Sequence, residues 1–320
     1  HSLDENQILD MEISQASGFE LRKINGNQYS TSGLEIMAGV KLFQKRNFKW
    51  DFKLNWSKRV KRLKSIYGGE EYFGNLKQGD RADSYYGTVW QRSSDGQLIV
   101  DATGQPIKDA YKRYVGHTDP NGRIGWQNTF HYKNFILNIN LDGAYGGVIC
   151  STLSPKLWWG GKHVESTKYR DAEYNAASPV YVPDAVVITG GDISYDVHGN
   201  VVSDTRTYSK NTQAVNWQSW CQNYPYRAKV TSKQDETFAN VFSRSYLKLR
   251  HVSLSYHCNK LLKKANCPVK DLTVTVFGNN LALWSKAPWI DPDISGDNDN
   301  DDGASDPSAR YLGVGVNVKF

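Results

Sequence analysis

Strict alternation of apolar and polar positions is the dominant signal in this chain. In residues 48–60 (FKWDFKLNWSKRV), Phe48, Trp50, Phe52, Leu54 and Trp56 share one parity, while Lys49, Asp51, Lys53, Asn55 and Ser57 share the other. Successive side chains of a strand point to opposite faces, so this segment predicts a strand with one large apolar face and one polar face. Residues 311–320 (YLGVGVNVKF) repeat the pattern, with Leu312, Val314, Val316, Val318 and Phe320 set against Gly313, Gly315, Asn317 and Lys319. Further strands are predicted at 35–43 (Ile36, Ala38, Val40, Leu42), 124–132 (Ile124, Trp126, Phe130, Tyr132), 135–141 (Phe135, Leu137, Ile139, Leu141) and 272–284 (Leu272, Val274, Val276). In 245–256 the phase slips: Leu247 and Leu249 are odd, whereas Val252, Leu254 and Tyr256 are even, which predicts a bulge near Arg250–His251. Residues 6–14 are strand-like but weakly patterned, and 17–33 reads as a polar loop. The stretches 67–122 and 143–242 read as long and irregular, the second with short strands around 181–189.

Length decides what the apolar faces touch. About ten residues at ~3.3 Å each, tilted by ~45°, span roughly 23 Å, close to the apolar band of an outer-membrane barrel. A sandwich strand is more often about five or six residues. Phe48 and Trp50 at one end and Trp56 at the other suit two interfacial aromatic girdles. Read backward from Phe320, the connections alternate: long (288–310), short (257–270), long (143–242), short (133–134), long (61–123), short (44–47), medium (15–32). Outer-membrane barrels have short turns on one side and long loops on the other, and a sandwich has no reason to sort its loops this way. The predicted fold is all-β, an antiparallel transmembrane barrel wall of about eight strands. Its lipid-facing set is Phe48, Trp50, Phe52, Leu54, Trp56, Leu312, Val314, Val316 and Val318, with Phe320 as the barrel-assembly terminus.

Composition is compatible with this reading. Only 39% of the 320 residues are hydrophobic, and no uninterrupted apolar run is long enough for a spanning helix. A barrel strand is only half apolar and shows no such run. The 19 Tyr, 10 Trp and 27 Gly are conspicuous, and Tyr and Trp favour a membrane interface. The net charge of +6 is spread along the chain without a nucleic-acid motif, so no nucleic-acid partner is expected. His1 is not an initiator methionine and no charged-then-apolar leader stands before it, so a processed or cut start is expected. Cys150, Cys221, Cys258 and Cys267 show no C-x-x-C spacing. Cys258 and Cys267 flank one connection, and both a disulfide and isolated thiols are compatible with that spacing.

The run SYLKLRHVSLSY, then NKLL, then DLTVTVFGNNLALW, then Asp291–Pro292, then YLGVGVNVKF resembles the C-terminal end of SusC-like TonB-dependent transporters. Upstream, GRIGWQNTFHYKNFILNINLDGAYGG and NGNQYSTSGLEI with FKWDFKLNW resemble earlier hairpins of the same family. The similarity touches most strands and little of the long loops. It implies a barrel of about 22 strands with an N-terminal plug, a SusD-like surface lipoprotein as cap, and TonB as the energy-coupling partner, importing glycans or peptides across the outer membrane of Bacteroidetes-type bacteria. Residues 1–320 carry no recognisable plug or TonB-contact segment. They are therefore expected to be the C-terminal part of the wall. The remaining barrel and plug would come from an N-terminal segment or a companion chain, because open edges in lipid leave backbone groups unpaired.

No catalytic constellation is apparent. His117, His131, His163, His198, His251 and His257 are scattered, without H-E-x-x-H or G-x-S-x-G. The acidic positions Asp297, Asp299 and Asp301 are a weak calcium candidate within 291–302, but an EF-hand needs Gly and Glu where Asp302 and Ser308 stand. No cofactor is expected beyond that possible calcium. Trp158, Trp159, Trp284 and Trp289 lie in or beside the long loops and are candidates for substrate or partner contact, with girdle or packing roles as the alternative. Lys49, Lys53, Lys248 and Lys319 should face the lumen. A secreted, lectin-like binding module with the tryptophans as a sugar platform is the alternative function.

Overall fold

The computed structural model describes residues 1–224, 240–258, 262, 269–287, 290–293 and 308–320. Its frame is an 8-stranded antiparallel sheet. The wall strands are β1 (Ser2–Asp4), β2 (Gln28–Lys45), β3 (Phe48–Ser65), β4 (Gly122–Tyr132), β5 (Phe135–Tyr145), β6 (Tyr246–His257), β7 (Asp271–Ser285) and β8 (Tyr311–Lys319), hydrogen-bonded in chain order. Two turns at the shared short end tie neighbouring hairpins together: Lys133 N donates to Asn47 O at 3.1 Å, and His257 N donates to Asn134 O at 2.9 Å.

The alternation in the sequence becomes rows across the sheet, because directly paired residues share a face. Phe43, Trp50, Phe130, Leu137, Leu254, Val276 and Val314 form one apolar row. Ile36, Trp56, Ile124, Gly143, Leu247 and Trp284 form another, near the long-loop end. Rings couple in the first row, with Phe43 stacked on Trp50 at 5.9 Å and Trp50 on Phe130 at 5.3 Å. The opposite face carries Lys41, Asp51, Thr129, Asn138, Ser253, Phe277 and Gly313 in one row. Here the links are polar: Thr129 Oγ1 donates to Asn138 Oδ1 at 2.9 Å, and Asn138 Nδ2 to Ser253 Oγ at 3.3 Å. The Phe277 ring lies over Gly313, where a Cβ would come within 2.5 Å of it and make the ring shift.

Three details correct the sequence reading. The first wall strand is Ser2–Asp4, pairing with 29–31 of β2. Ile8–Glu12 instead makes a separate hairpin with Leu21–Asn25, so 17–33 is not a loop throughout. Weak alternation in 6–14 gave no face to choose between these pairings. In β2 the register shifts between Lys41 and Phe43, so Phe43 and not Leu42 lies opposite Trp50. The wall hairpins also run past their predicted ends; β2 and β3 have 18 residues each.

The long loops build a second unit. Val148–Cys150 pairs with Val241–Ser243, and Val186–Gly190 is flanked by Thr207–Lys210 and Ile99–Val100. The helices α1 (Leu153–Trp159), α2 (Arg170–Tyr174) and α3 (Trp217–Asn223) complete it. Its core gathers Trp90, Leu98, Val100, Trp158, Ala185, Val215, Trp217, Trp220 and Cys221, with Tyr169, Tyr181 and Tyr224 against them. Burial pushes the Cys221 thiol up to about 11 and the Tyr181 phenol up to about 12, so both stay neutral packing groups.

Candidate functional site

The polar face of the wall holds one concentrated charge cluster, and a bulge builds it. In β6, Asn140 of β5 pairs with His251 and Leu141 with Leu249, leaving Arg250 without a partner in the ladder. The register to β7 shifts at the same point, where Asn280 takes a φ of 52°. Arg250 follows the outward Leu249 and keeps the luminal face of Lys248, whereas Val252 and Leu254, of the same parity, face outward. The extra residue resets the phase of the strand, so the guanidinium stays on the polar face while Val252 and Leu254 turn outward.

There Arg250 meets Asp142 of β5 through two bonds, Nε to Oδ1 at 2.7 Å and Nη2 to Oδ2 at 2.6 Å. It also donates to Asp293 Oδ2 at 2.7 Å and to Asn280 Oδ1 at 3.3 Å. Asp293 belongs to the segment Asp291–Asp293, which descends from the last long loop. Lys248, 2% exposed, donates to Asp293 Oδ2 at 2.9 Å and sits 2.6 Å from Asp291 Oδ2. Tyr246 donates its hydroxyl to Asp293 Oδ1 at 2.8 Å. Arg244 reaches Pro292 O at 3.4 Å and Thr118 O at 3.2 Å, tying the preceding loop to the same point. Burial acts to raise the Asp293 carboxyl, but the hydrogen bonds from Arg250, Lys248 and Tyr246 outweigh it and hold the group well below the usual carboxylate range.

Beside the clamp lies a concavity of about 420 Å³, lined on its polar side by Glu35, Asn55, Arg123, Asp142, Tyr246 and Asp293. It offers mixed charge and hydrogen bonding without a nucleophile–base pair. Among the described residues no group of three His, Cys, Asp or Glu side chains could hold a metal ion.

The residues singled out from sequence fall in different places. Phe48, Trp50, Phe52, Leu54, Trp56, Leu312, Val314, Val316 and Val318 lie on the one apolar face by register. That face is open: Leu312 is 81% exposed and Val314 68%. Phe320 is exposed beyond the last paired residue. Trp158 is 3% exposed and stacks on His163 at 4.1 Å inside the loop unit, leaving no free ring face for a sugar. Trp284 lies on the apolar face in the row of Trp56, outside the lumen. Trp159 is exposed at the rim of a concavity of about 440 Å³ that includes Arg170, Glu173 and Trp217. Trp289, Asp297, Asp299, Asp301 and Cys267 lie outside the described residues, while Cys258 is a free thiol. The sequence reading named Lys248 as luminal and Asp291–Pro292 as a motif pair without a common role. The signal that connects them is the phase slip at Arg250, which shares its parity with luminal Lys248 on one side and outward Val252 on the other.

A single sheet with an open apolar face, a polar face and all long loops at one end is a section of an outer-membrane β-barrel wall. The chain is 21% identical over 358 aligned positions to TonB-dependent receptor P3 of Formosa agariphila, a match that covers 99% of this chain and 31% of that protein. Among solved structures it is similar to the RagAB peptide transporter, with a TM-score of 0.60 at 13% identity over 99% of this chain and 32% of that one. The open-open state of the RagAB peptide importer gives 0.62 at 14% identity. No protein-family model matches the chain. The chain spans about a third of the length of the proteins it matches. The likeness to these proteins runs along the whole chain and shows its fold. These relatives are receptors and transporters and not enzymes.

Proposed function

We propose that residues 1–320 form the C-terminal part of the barrel wall of a TonB-dependent, SusC-like importer that moves a glycan or peptide nutrient inward without altering it. The observation that carries this reading is the open sheet. Among the described residues, β8 has no neighbour along its outer edge, and β2 is paired on its outer side only at 29–31. In lipid each unpaired backbone group costs several kcal/mol, so both edges call for further strands. A companion segment or chain supplies those strands, the plug and the TonB contact, and a SusD-like lipoprotein caps the long-loop side. The luminal concavity beside Arg123 and the Asp293 clamp faces the passage, and the clamp holds the last long loop to the wall at its outer mouth. The RagAB likeness favours a peptide cargo, and the polar lining of Glu35, Asn55 and Arg123 suits one. Intact mass of the native complex from outer membranes, together with uptake of labelled peptides and oligosaccharides in cells with and without the protein, tests this. A folded monomer in buffer without detergent would overturn it.

A further inference from the structure

The concavity of about 440 Å³ at Trp159 is built where α1, α2 and α3 of the loop unit meet. Trp159 closes α1, and Gly160–Gly161 turn the chain away behind it, Gly161 at a φ of 65°. Glu173 and Tyr174 close α2, while Gln218 and Gln222 share one face of α3. The frame is tied from behind. Glu173 Oε2 accepts the Trp217 backbone N–H at 2.6 Å, joining α2 to α3. Gln222 Nε2 donates to Trp159 O at 3.4 Å, joining α3 to α1. The Arg170 guanidinium is spent on Ser166 and on Gly161 O. Two things are left unsatisfied in this fixed frame. Trp159 and Tyr174 are 63% and 90% exposed, although both are large rings. Glu173 Oε1 is buried and accepts no hydrogen bond among the described residues, a cost that an incoming donor would recover.

The ligand that answers both has a flat apolar face and a rim of hydroxyls. A pyranose ring has these, its C–H face matching an exposed aromatic ring and its hydroxyls matching carboxylate and amide groups. The lining carries one arginine and one glutamate, so its formal charge balances and a neutral sugar suits it better than a uronate or a sulfate. An extended peptide is disfavoured, because the walls are helices and turns that offer no strand edge for main-chain pairing. The volume falls within the range of small-ligand sites, roughly 300–1,000 Å³. We propose that this concavity binds a neutral hexose unit of an oligosaccharide. The sugar lies against Trp159 and Tyr174, one hydroxyl donates to Glu173 Oε1, and the Gln218 amide meets a second. The site belongs to the loop unit alone and is separate from the luminal concavity beside Arg123.

The test presents the intact protein, in a detergent without a sugar headgroup, to an array of neutral, uronate-bearing and sulfated oligosaccharides and of hexapeptides, and titrates the best neutral ligand by calorimetry. Wild type is expected to bind a neutral oligosaccharide in preference to the other classes. Trp159→Ala and Tyr174→Ala should each weaken that binding about five-fold, and the double variant about twenty-five-fold. Both positions are exposed, so the near-ultraviolet dichroism of the buried rings should persist in these variants. Trp159→Phe should recover part of the loss. Glu173→Gln keeps an acceptor for the Trp217 N–H but replaces the free oxygen with a donor, and should weaken binding about ten-fold. Undiminished binding by the folded double variant, a preference for acidic chains or for peptides, or no neutral oligosaccharide bound by wild type would overturn the proposal. None of these outcomes bears on the import reading, which the mass of the native complex and uptake in cells read separately.

Discussion

Trp50, Trp56 and Trp284 keep their rings on the open outward face of the wall, whereas Trp90, Trp158, Trp217 and Trp220 are packed into the core of the loop unit. The two regions satisfy the same side chain against different solvents. In the proposed barrel, lipid would be the wall's apolar partner, which accounts for an exposed face that is hydrophobic and polar groups that turn inward. In the loop unit water is outside, and the rings bury against one another: Tyr181 lies 4.8 Å from Trp217 and 5.3 Å from Trp220. The Asp293 clamp joins the wall to its last loop.

The strongest test of this division removes the joint. Asp293→Ala strips Lys248, Arg250 and Tyr246 of a shared acceptor and leaves two cations short of counter-charge. Breaking such a network by removing one partner costs about 3–5 kcal/mol. The outcome expected is a lower heat-modification temperature in detergent, with Asp293→Asn losing nearly as much. The folded carboxyl is depressed from its ordinary 3.8. Its contribution is therefore complete above that value and is lost as pH falls through the lower folded value. Wild type should weaken on acidification in that range, and Asp293→Asn should lose that component of the pH dependence.

A second substitution separates the two regions. Trp217 is 6% exposed and its indole donates to Ser166 O at 2.7 Å. Trp217→Ala should cost the loop unit about 3–5 kcal/mol, seen as lost near-ultraviolet dichroism and quick proteolysis of the loops, while the wall keeps its heat-modifiable mobility. Simultaneous loss of both signals would show that the loop core and the wall fold as one.

Val276→Arg asks what solvent the outward face sees. Val276 is 57% exposed, and in a water-soluble protein an arginine there would change stability by no more than about 0.5 kcal/mol. Near the middle of a bilayer it should cost about 2–4 kcal/mol. Gly315→Lys, on the luminal face with open space where a Cβ would go, should be nearly neutral by the same unfolding measurement in lipid vesicles. Equal effects at the two sites would remove the distinction between the faces.

How far the sequence carried this picture follows the same boundary. Period-two alternation in 48–60, 135–141 and 311–320 specifies strand, face and register at once, because a slip of one residue would turn every apolar group inward. The broken phase around Arg250 located the bulge. The clamp stayed hidden because Asp142, Lys248 and Asp293 are far apart in sequence, and the extended hairpin and last-loop segment that unite them show only in three dimensions. The loop unit was illegible for a related reason. Its core draws single residues from 90 to 221 with no local period, and Trp158 in sequence looks no different from the exposed Trp159.

Asn128 is the exception on the outward face, and it gives the finest probe. It lies opposite Phe52 and Ile139 in an otherwise apolar row, and the Trp50 indole donates to its Oδ1 at 3.2 Å. In water such a bond competes with solvent; in lipid the orphaned amide oxygen has no substitute partner. Trp50→Phe keeps a ring beside Phe43 and Phe130 but removes the donor, and should cost about 1 kcal/mol. In an Asn128→Leu background the orphan no longer exists, so the same Trp50→Phe change should cost close to nothing. The coupling energy from this double-mutant cycle, measured by reversible unfolding in lipid vesicles, reads the solvent of the outward face directly. A coupling near zero would mean that Asn128 finds water, and that its row does not lie in the hydrocarbon.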